Sequence, residues 1–418
     1  MEKIAVVGSG IAGLGVAWLL RERASVTVFE AEDRPGGHAN TVMAGDQPVD
    51  TGFIVLNDRN YPYFESLLDE LSIETIDSDM SFAVTIGHGA IEWAGDNWRT
   101  LFAQKSLIAD RAHWRMIADI LRFNRQAKRL LAHDRVPDCS LGEFLDNNSY
   151  SEAFAARYLL PMAAAIWSTP TAGMRAFPVG AFLRFFDNHG LLELANRPQW
   201  RTVAGGSRRY VRAIADVLGE RLRLSSPVGG VRRDTQSVTV TLEDGRSEAF
   251  DQVVFACHAD QTRRILGDAS PPEARVLSAF GFQPNRALLH SDAALMPRRR
   301  AVWASWNYAA DRATVDDQRV SVTYWMNRLQ SIQGPTDYFV SLNPLVEPAP
   351  DKLIREIEYD HPIFDAGAIA AQRQLADIQG IDRAWFCGAW CGYGFHEDGL
   401  AAATRVAKGL GVTAPWAG

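Results

Sequence analysis

Cysteine is scarce: Cys139, Cys257, Cys387 and Cys391 are the only four in 418 residues. So few, so scattered, they exclude a disulfide framework or a four-thiolate zinc site, and they fit a reducing compartment. A cytoplasmic protein with no metal is expected. Long apolar runs are missing too. Tyr158 to Trp167 is about half of the ~20 residues that a membrane-spanning helix needs, and it contains Pro161. Attachment to a membrane surface stays open. The segment Ile4 to Leu20 is apolar, but Glu2 precedes it, four glycines interrupt it and no small-residue cleavage site follows, so it reads as structure and not as a signal peptide. Nor is there an excess of positive charge. A net charge of −7 excludes a face built for nucleic-acid phosphates. What remains is 47% hydrophobic and 22% charged, the composition of a folded globular chain. Its length exceeds one ordinary core, which predicts two domains.

The strongest local pattern is at the start. Ile4-Ala-Val-Val7 suits a buried parallel strand, and Gly8-Ser-Gly10-Ile11-Ala12-Gly13 follows at once, leading into a helix predicted from Ile11 to about Arg23. Gly8 serves the tight turn, Gly10 lets backbone approach a diphosphate, and Gly13 brings helix and strand together. The diphosphate then sits on free N–H groups at the helix N-terminus. A second strand, Ser25 to Phe29, ends in Glu30, where a carboxylate can accept hydrogen bonds from an adenosine ribose. This much fits FAD or NAD equally.

The segment after Glu30, Ala31-Glu-Asp-Arg34-Pro-Gly36-Gly37-His38, adds a cation for phosphates and backbone slim enough to pass beside a flat ring. It resembles the second signature of FAD enzymes of the glutathione reductase-like superfamily, in particular the flavin amine oxidase branch. Asp50-Thr51-Gly52-Phe53 resembles that branch's turn beside the isoalloxazine. Near the other end, Trp385-Phe-Cys-Gly388-Ala389-Trp-Cys-Gly-Tyr-Gly394-Phe-His396-Glu397-Asp398-Gly399-Leu400 reads as strand, glycine loop and helix start. It resembles the C-terminal flavin motif of amine oxidases, protoporphyrinogen oxidases and carotenoid desaturases. Glu397 or Asp398 can cap the helix, whose positive end favours an anionic reduced flavin. The resemblance implies non-covalent FAD, with Val228 pairing adenine by its backbone. For His38 and for His396, flavin contact and a plain loop or capping role both stand.

The expected fold class is α/β: a Rossmann-like FAD-binding domain (1–56, 201–284 and 350–418) interleaved with an α+β substrate domain (57–200 and 285–349) made of an antiparallel sheet plus helices. Strands are expected at Arg286 to His290, Val302 to Tyr308, Val320 to Asn327 and Tyr338 to Asn343. Trp306, Tyr324 and Trp325 are the candidates for the substrate pocket, whose aromatic content favours a hydrophobic small-molecule or lipid substrate. Three functions compete. Amine oxidation by relatives of this branch uses a lysine of the substrate sheet, yet no lysine occurs between Lys128 and Lys352, and His396 takes the place of a cage tyrosine. Desaturation of a carbon–carbon bond needs an apolar tunnel and a flavin, with His396 as the candidate catalytic base. Gly394 to Gly399, Trp325 to Gln330 and His361-Pro-Ile-Phe364 resemble a bacterial FAD-protein family associated with cyclopropane or branched fatty-acyl synthesis, which implies a fatty-acyl chain. The third reading is a flavin-binding module without catalysis. The electron acceptor is left open.

Overall fold

The computed structural model describes residues 1–167, 171–193, 198–312 and 319–416. Glu2–Val7 is buried from Ile4 onward and forms the middle of a five-stranded parallel sheet. The strand order is Leu222–Arg223, Ala24–Phe29, Glu2–Val7, Gln252–Phe255 and Ala384–Phe386. Continuous β-branched and apolar runs suit these strands because both sheet faces are covered. On one face lies the helix Ile11–Leu20, in which every residue is buried. An apolar sequence all round is what a core helix requires. It packs against the last helix, His396–Gly409, so closely that a Cβ on Gly15 would lie 2.7 Å from Leu400 Cδ1. An antiparallel meander, Val228–Arg233, Val238–Leu242 and Ser247–Phe250, turns at Gly245 with φ of +90°.

The second unit is a seven-stranded sheet ordered Leu353–Ile363, Gly281–His290, Phe339–Leu342, Val320–Trp325, Trp306–Ala310, Phe82–Ile86 and Ile91–Ala94. It is antiparallel except where Trp306–Ala310 runs parallel to Phe82–Ile86. Helices between 98 and 188, led by the 22-residue Arg111–Ala132, pack around an aromatic core that includes Phe123, Phe154, Trp167, Phe182 and Phe186. The architecture is therefore α/β, with the parallel sheet and the mixed substrate-side sheet interleaved along the chain.

Some sequence expectations shift. Leu353–Ile363 is the edge strand of the substrate-side sheet, paired along its length with Gly281–His290, so residues 350 to 363 leave the FAD domain and 281 to 284 join the other unit. Residues 302 to 308 are not one strand: Arg300–Val302 is a 3-10 turn and the strand begins at Trp306. The first helix stops at Leu20. Leu56–Asn57, Trp200–Val203 and Thr75–Asp77 form a small antiparallel sheet across the expected boundaries at 57 and 200. Among the described residues no helix is long and apolar enough to cross a membrane.

Candidate active site

A cavity of about 950 Å³ lies between the two sheets, near the top of the ~300–1,000 Å³ range of small-molecule sites. Loops leaving the C-terminal ends of the parallel strands form one part of its wall: Gly8 to Ala12, Glu30 to Arg34, Ala256 to His258 and Gly388 to Trp390. Open α/β sheets bind ligands in this crevice. Gly8 has φ of +101°, a conformation that L side chains rarely adopt, and a Cβ on Gly13 would lie 1.9 Å from Gly8 O. The helix therefore starts hard against the loop. Gly10 caps that helix without a side-chain hydrogen bond, and a Cβ placed on it meets no protein atom within 4 Å. The space beside the N–H groups of the helix start is a cradle that a side chain would fill, and it suits a bound diphosphate.

Glu30 is nearly buried. Its Oε2 accepts from Ser9 N–H at 2.9 Å and from the Ser9 hydroxyl, and its Oε1 accepts from Glu32 N–H at 3.0 Å. The carboxylate is thus fixed at the cavity wall with lone pairs to spare. Arg34 donates to Gly37 O at 2.9 Å and pairs with Glu32. Gly36 and Gly37, both with positive φ, bring His38 to the cavity, where its ring stacks on Tyr359 at 4.8 Å. His258 and His361 complete a group of imidazoles around His38, at 6.3 and 5.4 Å between ring centres. Burial, then the neighbouring rings, hold His38 well below its usual pKa, and burial takes His361 to about 4.

Of the residues expected to bind the cofactor, Gly8, Gly10, Ile11, Ala12, Glu30, Ala31, Arg34, Gly36, Gly37, His38, Thr51, Gly52, Val228, Gly388, Ala389 and His396 line the cavity. Gly13, Asp50, Asp398, Gly399 and Leu400 stand behind it. Asp50 is turned inward and accepts from Ser207 N–H and Oγ, Thr41 Oγ1 and Gln330 Nε2. Burial raises its pKa to about 6. Asp398 caps the last helix by accepting Phe395 N–H at 2.9 Å, whereas Glu397 accepts Tyr63 and Phe64 N–H and so caps the neighbouring helix Pro62–Glu70. Gly399 and Leu400 pack on Ile11 and Gly15.

His396 begins the last helix. Its Nε2 is 2.7 Å from Tyr210 Oη, Phe53 stacks on the ring at 3.9 Å, and Phe64 meets it edge-on at 4.9 Å. Burial lowers its pKa to about 3. Tyr210, fully buried, was invisible as a site residue in the sequence, because its partner lies 186 positions away. The one local mark is the glycine pair Gly205-Gly206, both with positive φ, just before its helix Arg208–Leu218.

The rest of the cavity wall comes from the substrate-side elements. Trp306 and Tyr324, cross-strand partners whose rings meet edge-on at 4.9 Å, line it together with Met80, Ile166, Phe185 and Leu342. Trp325, expected in the pocket, is not part of the wall. Successive strand residues face opposite sides, and its indole donates to Asp337 at 2.9 Å while packing on Trp303. Cys387 and Cys391 pack outside the wall as well.

Comparison with known proteins agrees with this geometry. Residues 11–288 match the family model "Flavin containing amine oxidoreductase". A Mycobacterium tuberculosis protein that carries the name flavin-containing monoamine oxidase AofH is 27% identical over 292 residues, 66% of this chain and 61% of that protein. The chain thus spans about three fifths of the length of that relative. Hydroxyneurosporene desaturase of Cereibacter sphaeroides is 27% identical over 344 residues, covering 74% of this chain and 64% of the other. A cofactor-binding double mutant of putrescine oxidase has the same fold, with a TM-score of 0.70 at 18% identity over 98% of both chains. The glycine cradle, the fixed ribose acid and the capped helix start fit FAD; this chain belongs to the flavin containing amine oxidoreductase family, and FAD is its cofactor.

Proposed function

We propose that the protein is an FAD-dependent oxidoreductase that removes a hydride from an uncharged, hydrophobic substrate, a fatty-acyl-type chain, to give a carbon–carbon double bond. The observation that carries this reading is the charge distribution of the wall. Among the described residues, its carboxylates and guanidinium groups, those of Glu30, Glu32, Arg34, Glu243, Arg264, Glu358 and Asp360, stand on the cofactor-domain loops, the adjoining meander and helix, and the edge strand Leu353–Ile363. The part formed by Val55, Met80, Ile166, Phe185, Leu191, Trp200, Trp306, Tyr324 and Leu342, with His189 stacked on Phe185 and held neutral by burial, offers among the described residues no carboxylate to an ammonium and no cation to a carboxylate. Burying an unpaired charge there would cost several kcal/mol or more, so a neutral chain is favoured.

FAD, when bound, supplies a two-electron acceptor. The chain's own residues do the rest. The diphosphate cradle and Glu30 hold one end of the cofactor, the apolar wall excludes water from the reacting carbon, and the start of the last helix points partial positive charge at the cavity. Amine oxidation is the second reading, favoured by the aromatic pair Trp306 and Tyr324 and by the AofH relative. The test is single-turnover product analysis with the FAD-loaded protein. An unsaturated acyl product two hydrogens poorer supports desaturation; recovery of aldehyde or ketone from an amine, with the acyl chain untouched, overturns it.

A further inference from the structure

Tyr210 and His396, both buried, meet at 2.7 Å. A buried phenol O–H needs an acceptor, since an unmade buried hydrogen bond costs about 1–3 kcal/mol. Among the described residues, Tyr210 Oη has no other hydrogen-bond partner than His396 Nε2. The hydroxyl is therefore the donor and Nε2 the acceptor, which leaves the ring proton of a neutral imidazole on Nδ1. The surroundings keep the ring neutral. Phe53 covers one face and Phe64 the edge. The nearby carboxylates are committed elsewhere: Glu397 to Tyr63 and Phe64 N–H, Asp398 to Phe395 N–H, Asp50 to Ser207 and Thr41. His38 is the other titratable ring that bears on it from the cavity side. His396 itself lines the cavity, and Nδ1 has no hydrogen-bond partner among the described residues.

We infer that Tyr210 is a positioning residue that locks His396 as the Nδ1–H tautomer, so that His396 is a fixed hydrogen-bond donor to an acceptor oxygen in the cavity and not a base. The acceptor is a carbonyl-type oxygen, whether of the flavin ring or of the substrate. An ammonium, which has no lone pair, gains nothing from such a donor. This rests on the proposed function and, where the acceptor belongs to the substrate, deepens it by requiring a neutral ligand with a carbonyl-type oxygen.

The test is two-bond nitrogen–proton correlation NMR on histidine-labelled protein. The His396 signal is identified by its absence in His396→Asn. Flavin-free protein keeps this readout independent of whether any substrate is ever oxidised. The expected result is a single Nδ1-protonated tautomer from about pH 6 to 8, across the range where an ordinary histidine titrates. In Tyr210→Phe, which keeps the ring and loses the donor, the Nε2-protonated form appears as well. Addition of FAD to the wild type then shifts the Nδ1 proton if the flavin is the acceptor; a shift only on later addition of a methyl ester assigns the substrate. An Nε2-protonated or doubly protonated ring in the wild type, or a Nδ1 proton that moves with neither ligand, overturns the inference. The wild-type spectrum alone decides the tautomer should Tyr210→Phe fail to fold.

Discussion

Gly10→Val separates the cofactor cradle from the fold. A Cβ at this position meets no protein atom within 4 Å, and the backbone, with φ of −64° and ψ of −179°, is open to any L residue. The flavin-free protein is therefore expected to keep its melting temperature, the change staying within about 0.5 kcal/mol as for an unstrained surface substitution. The branched side chain fills the space beside the free N–H groups of the first helix, so FAD binding is lost. At FAD equal to 100 times its Kd, the wild type gains about 2.7 kcal/mol. With an unfolding entropy of roughly 2.1 cal/mol/K per residue over 418 residues, that is a rise of ~3 °C. Scanning fluorimetry with and without FAD should show this rise in the wild type and none in Gly10→Val. Gly13→Ala is the contrasting control, because its Cβ would lie 1.9 Å from Gly8 O and the fold itself must give way. Wild-type FAD affinity in Gly10→Val, or a collapse of its flavin-free stability, would refute the cradle.

Glu30→Ala removes the carboxylate that Ser9 and Glu32 N–H hold at the cavity wall; loss of its charged hydrogen bonds to the ribose, about 1.5–3 kcal/mol, predicts a roughly tenfold to hundredfold rise in the Kd for FAD, and an unchanged fluorescence titration contradicts the ribose assignment. Trp306→Ala should alter the rate of flavin reduction by substrate, while Trp325→Ala should leave that rate alone and lower stability through its lost contacts with Asp337 and Trp303; stopped-flow rates that respond equally to both would reject the assigned cavity wall. His396 at about 3 and His361 and His189 at about 4 are depressed by burial, so below pH 6.5 the unfolded chain binds more protons than the folded one. Their contribution to stability is present above the unfolded histidine pKa and is lost as pH falls toward 4. His361→Asn should flatten part of that fall in a melting-temperature profile, and an identical profile would show that the ring is not buried neutral.

What could be read in the chain was whatever depended on neighbours in sequence. Gly8, Gly10 and Gly13 are spaced by the demands of one turn and one helix start, and the parallel strands announce themselves by uninterrupted apolar runs such as Ile4 to Val7. The faces of the substrate-side strands were harder. Tyr324 and Trp325 are equally aromatic, and only the pairing of Tyr324 with Trp306 decides which of them looks into the cavity. Leu353–Ile363 escaped as a strand of the second sheet because an edge strand carries charge along much of its length, as Arg355, Glu356, Glu358 and Asp360 do here. Asp50 sits in a motif that passes the cofactor, yet its own carboxylate turns inward to Ser207, a contact over 157 residues that no local pattern records. The same holds for Tyr210 and His396.

The most direct test mixes the FAD-loaded protein anaerobically with neutral acyl-chain esters and, in a parallel series, with apolar amines, following the absorbance of the oxidised flavin. Bleaching by the acyl chains and not by the amines is expected. Bleaching by amines alone would contradict it, and would return the uncharged wall around Trp306 and Tyr324 to an amine cage.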